Sequence, residues 1–294
     1  MAFRDSPLRS ALAKTAGALA LALALGACET TMGSLNPPGV AEIDDANTAG
    51  ASAANISSLS DVIAKSPNDP QAYNTRGSAY ARAGRFNDAI NDFTRAIQID
   101  PAFAAALVNR GLAFRQQNKN DLAFADFNRA IQADPNYAQA WLARGNLYRA
   151  QNNMEAAQND LSHVIRIKPD SAEAYHGRGL VYQRQGQHAL AISDFDAAID
   201  RNPYVAPPYV ARGQSLNATG RFDAAVEDFT AALNVDNRNA DAWAGRAFAL
   251  DQQGKRTEAS ENYQRALTIN PNNQAAREGM ARQRTGGGGV GFFR

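Results

Sequence analysis

Six arginines recur every 34 residues: Arg76, Arg110, Arg144, Arg178, Arg212 and Arg246. Sixteen residues after each stands Asp92, Asp126, Asp160, Asp194 or Asp228, and in the last case Asn262. Two chemistries fit this spacing. A row of unpaired guanidiniums would hold an anionic ligand. A row of paired ones would tie two segments together, because a guanidinium leaves water only when a carboxylate meets it, ideally in a bidentate fork. The acidic positions track the basic ones, so the pattern favours scaffold ion pairs over an arginine ladder for a ligand.

The other reactive side chains do not converge. His163, His176 and His188 fall at three different points of the period. Asp160 and Glu173 each precede a histidine by three residues, a spacing that shares a helix face. Two ligands do not close a metal site, and Asp160 already faces an arginine, so the histidines read as surface residues. Cys28 is the single cysteine, which excludes an internal disulfide. There is no phosphate-binding loop and no nucleophile elbow. The expectation is a protein that is not an enzyme and uses no cofactor or metal.

The elements that must position these residues follow a beat. Pro67, Pro101, Pro135, Pro169, Pro203 and Pro271 share one 34-residue grid, with Asn237 at its one missing proline. In the unit from Pro70 to Phe103, Tyr73, Gly77 and Tyr80 share a helix face. Gly84 suits a left-handed stop. Phe86, Ala89, Phe93, Ala96 and Ile97 give a second helical period, which Pro101 ends. The unit is helix, turn, helix. Down the chain, the slot of Gly77 holds Gly111, Gly145, Gly179, Gly213 and Ala247. The slot of Phe93 holds Phe127, Leu161, Phe195, Phe229 and Tyr263. Small residues facing large ones let paired helices pack closely. Asn237 marks the joint expected to be softest.

The period and its W/Y…G…Y…A…F…A…P pattern resemble the tetratricopeptide repeat (TPR) family over residues 70–273, as six repeats. The resemblance implies an all-α fold: a right-handed superhelical solenoid of antiparallel helix pairs with a concave groove that holds a partner. It also implies which slots line that groove. Carried over to this chain, they give Asn74 and Arg82 in the first repeat, Leu112 and Arg115 in the second, and Leu142, Asn146 and Arg149 in the third. His176, Leu180 and Arg184 follow in the fourth, Gln214 in the fifth and Phe248 in the sixth. An acidic segment could lie along the basic part of this lining; the competing reading is that the arginines complement helix C-termini and stay solvated. The carboxylate clamp of chaperone-tail binders needs a basic residue where this chain has Asn74, Val108, Leu142, His176, Val210 and Ala244, so that clamp is absent.

Residues 1–27 carry Arg4, Arg9 and Lys14, then an apolar run from Ala16 to Leu25. This reads as a signal peptide, too short for a permanent span. It ends in Leu25-Gly26-Ala27-Cys28, which resembles a bacterial lipobox and implies lipidation at Cys28. Glu29 then points to the outer membrane, on its periplasmic side. Residues 28–52 read as a flexible tether, 53–69 as an N-terminal capping helix or half-repeat, and 274–284 as a polar C-terminal capping helix. Residues 285–294 read as a disordered Gly-rich tail, whose Phe292 and Phe293 offer a docking peptide as the sharper alternative.

The chain has 30 Lys and Arg against 29 Asp and Glu. Without residues 1–27, which hold Arg4, Arg9, Lys14 and Asp5, the balance is 27 to 28. That balance argues against nucleic-acid binding. The sequence thus reads as an envelope adaptor holding proteins in its groove and the membrane through its lipid, with homo-oligomers left open. Resemblance to TPR lipoproteins that scaffold peptidoglycan hydrolases sets the leading role. Assembly of a pilus or secretion channel is the alternative, and a wall-binding protein or enzyme the third reading.

Overall fold

The computed structural model describes residues 48–285, with side chains from 55 onward; Cys28, most of the tether and the tail lie outside the described residues. Among the described residues there are fourteen α-helices and no strand. Helix α1 spans Thr48–Lys65. Its start takes in five residues that the sequence assigned to the tether. Five of the six pairs follow as α2 (Pro70–Arg82) with α3 (Phe86–Ile99), α4 (Ala104–Gln116) with α5 (Asn120–Ala133), α6 (Ala138–Ala150) with α7 (Met154–Ile167), α8 (Ala172–Arg184) with α9 (His188–Arg201), and α10 (Ala206–Ala218) with α11 (Phe222–Val235). The last pair is α12 (Ala240–Gln252) with α13 (Arg256–Ile269), and α14 (Gln274–Arg284) closes the array.

Each joint is built from local chemistry. Within a pair, the turn needs one left-handed residue. Gly84, Gly186, Gly220 and Gly254 supply it at φ 71°, 72°, 73° and 78°, and Asn118 and Asn152 at 58° and 61°. Asparagine is the non-glycine residue that tolerates this region most readily. Between pairs, Asp100, Asp134, Asn202, Asp236 and Asn270 each accept a hydrogen bond from the backbone N–H two residues on, at 2.9–3.2 Å. These turns steer the chain out of one helix and into the next. The large aromatic of the following helix then clasps the joint. Trp141 Nε1 donates to the carbonyl of Pro135 at 2.9 Å, and Trp243 Nε1 donates to that of Asn237 at the same 2.9 Å. The joint without proline therefore has the same turn and the same clasp as its neighbours.

Packing within a unit turns on glycine. Phe93, Phe127, Phe195 and Phe229 are all but fully buried, as is Leu161 in the third repeat. A Cβ on Gly77, Gly111, Gly179 or Gly213 would lie 2.5–2.9 Å from the facing phenyl ring, inside van der Waals contact. Gly145 faces the smaller Leu161, and its Cβ would sit 3.1 Å away. The rings fill the space that glycine leaves.

First helices of neighbouring pairs pack on one another: α2 on α4, α4 on α6, α6 on α8, α8 on α10, α10 on α12, and α12 on α14. Successive second helices do not pack together among the described residues. An array that touches along one row and splays along the other curls around the touching row. The first helices therefore form the inner wall.

Candidate partner-binding face

The repeating arginines belong to the scaffold. In Arg76, Arg110, Arg144, Arg178 and Arg212, Nε and Nη2 both donate to the two oxygens of the aspartate sixteen residues on, at 2.6–2.9 Å. This is the bidentate fork. The aspartates are buried and the arginine side chains mostly so. The hydrogen bonds to aspartate hold Arg76, Arg144, Arg178 and Arg212 above the usual arginine range, against the opposing effect of burial.

The remaining nitrogen does something that the paired spacing had not suggested. Nη1 reaches back sixteen residues, to the second helix of the preceding unit. Its acceptors run Ser60, Thr94, Asn128, Ser162, Asp196 and Thr230, at 2.5–3.2 Å. Each guanidinium thus ties three helices in two successive units. The types differ, but all can accept, and that shared property is the signal a reading by residue identity passes over. The last rung lacks its carboxylate: Arg246 Nε meets Asn262 Oδ1 at 2.8 Å, and burial lowers its proton affinity.

The residues mapped to the lining lie on the first helices: Asn74 and Arg82 on α2, Leu112 and Arg115 on α4, Leu142, Asn146 and Arg149 on α6, His176, Leu180 and Arg184 on α8, Gln214 on α10 and Phe248 on α12. They differ in what they offer a partner. Asn74 is buried and accepts a hydrogen bond from Asn109 Nδ2 at 2.9 Å, across the joint. Leu142 is buried in the packing of α6 against α7 and α8. Phe248 meets Phe222 edge-on at 6.3 Å, with the Arg282 guanidinium 5.8 Å from its ring centre. Leu112, Asn146, Leu180 and Gln214 are partly exposed, and Arg82 and Arg184 are exposed.

Arg115 and Arg149 are half-buried, and among the described residues neither has a carboxylate within ion-pairing distance. Arg149 Nε is closed off from solvent and has no hydrogen-bond partner among the described residues. Burial, then the charges of Arg184 and Arg115, hold the Arg149 guanidinium below the usual arginine range; burial does the same for Arg115.

His176 is set into the same wall. Burial, and then the Arg149 charge, push its pKa down from 6.5 to about 4. The ring is neutral near pH 7, so it adds no charge to the cluster. None of the three histidines is fully exposed. His163 stacks on Trp141 at 4.0 Å and meets Arg166 through Nδ1, while His188 Nδ1 is closed off without a partner among the described residues. Among the described residues no group of three His, Cys, Asp or Glu side chains is placed to hold a metal, and no helix is long and apolar enough to cross a membrane.

The depressed His176 value carries a pH dependence. A neutral folded histidine gains nothing from acid, whereas the unfolded one takes up a proton below about pH 6.5. Stability is therefore full above that value and is lost as pH falls toward 4. His176→Gln should remove about 1–2 kcal/mol of the loss between pH 7.5 and pH 5. Urea denaturation of both proteins at the two pH values checks this; parallel losses would refute it.

Comparison with known proteins fits this geometry. Sequence models described as tetratricopeptide repeat match residues 56–102, 74–138, 172–204, 206–239 and 240–273, and one described as TPR repeat matches 145–186. Together they span more than half of the chain. The chain belongs to the tetratricopeptide-repeat family. Similar TPR-fold structures share little sequence with it. The APC/C hetero-tetramer Cut9–Hcn1 gives a TM-score of 0.70 at 17% identity, over 80% of this chain and 47% of that one. The present chain thus spans about half the length of that protein. PilF of Pseudomonas aeruginosa gives 0.67 at 18% identity, over 73% of this chain and 97% of that one. YrrB, described as a TPR protein with an unusual peptide-binding site, gives 0.54 at 23% identity, over 64% and 97%. At such identities the likeness is one of fold. No curated protein sequence matches significantly. TPR arrays serve as protein-interaction scaffolds, and that much of the expected function stands.

Proposed function

We propose that the chain is a lipid-anchored adaptor on the periplasmic side of a bacterial outer membrane, where its inner wall holds proteins of the cell envelope. The observation that carries the interaction role is the inner wall itself. Glycines, phenylalanines and the arginine–aspartate pairs are absorbed by the scaffold, while the partly exposed positions of α4, α6 and α8 differ from unit to unit. The Leu-Gly-Ala-Cys sequence ending at Cys28 supports the anchor. Two acyl signals or more are what stable attachment requires. Nothing in the array offers a catalytic constellation, so a direct action on the wall is the weaker reading.

Cys28→Ser should abolish acylation and move the protein from the membrane to the soluble fraction; a variant that stays acylated and sediments with membranes would refute the anchor. Photo-crosslinkers at Leu112 and Leu180 on the inner wall should capture envelope proteins. The same probe at Leu122 and Leu190, half-exposed on the second helices, should not. The identity of the captured proteins separates wall-hydrolase scaffolding from pilus or secretion assembly.

A further inference from the structure

We propose that Arg115, Arg149 and Arg184 form a binding site for an extended acidic peptide whose carboxylates recur at every third residue. The proposal rests on the reading of the inner wall as the partner face and adds the chemistry of the partner.

The argument begins with an inventory of charge. Across α2, α4, α6, α8 and α10 the one acidic residue is Glu173, exposed in the first turn of α8 and accepting from the Ser171 hydroxyl at 3.2 Å. It lies a full helix length from the arginines, which occupy the last turns of α4, α6 and α8. The five scaffold arginines on these helices are neutralised by their aspartates. The three arginines proposed here have no ion-pair partner among the described residues. They stand close enough for Arg115 and Arg184 to act on the charge of Arg149.

A helix C-terminus accounts for only part of this. It favours a cation by about 0.3–1 kcal/mol, and a solvated side chain collects that benefit in full. It gives no reason to draw three like charges together or to close Arg149 Nε away from water without an acceptor. A cluster of unpaired cations in a concave wall is complementary to an anion. The neutral His176 leaves the positive potential to the arginines.

Geometry selects the spacing. Packed helices lie about 8–10 Å apart. A polyproline-II chain advances about 3.1 Å per residue and returns its side chains to the same face every third residue. Arginines on three successive inner helices therefore meet side chains three residues apart. Leu112 and Leu180, one turn earlier on α4 and α8, and Asn146 on α6 border the arginines. Apolar residues between the acids would find Leu112 and Leu180, and bidentate guanidinium–carboxylate pairs would fix the register.

The test uses the purified full chain and two fluorescent nine-residue peptides of identical composition. One carries Asp at every third position with alanine and leucine between; the other carries its three Asp together. The spaced peptide should bind several-fold tighter. Arg115→Gln with Arg149→Gln should weaken it by about tenfold or more, with the melting temperature unchanged. Equal binding of the two peptides, an unchanged Kd in the double variant, or equal competition by a single-stranded oligonucleotide would overturn the proposal. So would self-association of the chain that the same double variant abolishes, since a second copy would then be the occupant. If crosslinks from Leu112 and Leu180 to envelope proteins persist while the peptides fail, only the acidic partner falls; if both fail, the adaptor reading falls with it.

Discussion

Arg144→Ala is expected to lower the unfolding free energy by about 3–5 kcal/mol at pH 7, the range for breaking a buried pair from one side. The residue holds Asp160 through Nε and Nη2 at 2.8 and 2.9 Å, and Asn128 of the preceding unit at 2.6 Å. Asp160 is 4% exposed, so its carboxylate would remain out of water with no cation. The pH dependence identifies the cause. An orphaned buried carboxylate takes up a proton more readily than an exposed one, so the variant should recover part of the loss as the solution is acidified. Loss of packing alone would show no such recovery. Arg144→Met combined with Asp160→Leu should restore most of the stability, because an apolar pair does not carry the desolvation cost of the charges. Urea denaturation followed by circular dichroism measures all three proteins. An unchanged midpoint in Arg144→Ala, with partner binding lost, would return the repeating arginines to a ligand.

Phe127→Ala should cost about 3–5 kcal/mol, the range for a large aromatic removed from a full core. Its ring is fully buried between α4 and α5, and glycine at 111 lets it lie against the backbone of α4. The reverse change tests the same fit. A Cβ at position 111 would stand 2.5 Å from Phe127 Cε1, so Gly111→Ala overpacks the joint by about 1–3 kcal/mol, less the roughly 1 kcal/mol that alanine gains in a helix. Gly145→Ala should be milder, because Leu161 leaves 3.1 Å. In an array coupled only to neighbours, the damage should stay local. Hydrogen exchange should accelerate in α4 and α5 before it does in α12 and α13. Equal effects at positions 111 and 145 would count against this account of the glycine slot.

Much of this was legible in the residues. The proline grid located the joints, and alternation of Gly111 with Phe127, or Gly145 with Leu161, located the core. The Arg144–Asp160 pair followed from two charges that recur together. Three features were not legible, each for a physical reason. The backward bonds from Nη1 were hidden because Ser60, Asn128 and Asp196 share an acceptor and not a residue type. The neutrality of His176 depends on how closely the wall crowds it and on the Arg149 charge, and neither is visible in a one-dimensional pattern. The first turns of α1 were missed because residues 48–52 are small in type and carry no apolar period. The partner face was legible in outline only: slot position placed Asn74 on the lining, while its bond to Asn109 turns it into the stack.

The guanidinium that spans two units also bears on how such a chain can change length. Each rung but the last has an aspartate sixteen places ahead, and every rung has a hydrogen-bond acceptor sixteen places behind. Excising residues 104–137 would bring Arg144 opposite Thr94, an acceptor that Arg110 now uses, and would leave Asp160 in place. Duplicating those residues would set each new arginine before an equivalent partner. The half-unit α1, with Ser60, supplies the first acceptor, so the series can begin without an orphaned donor. The number of units is therefore a quantity that recombination can alter by whole steps, at no electrostatic penalty inside the stack, and the span of the inner wall can be lengthened or shortened independently of the chemistry that holds it.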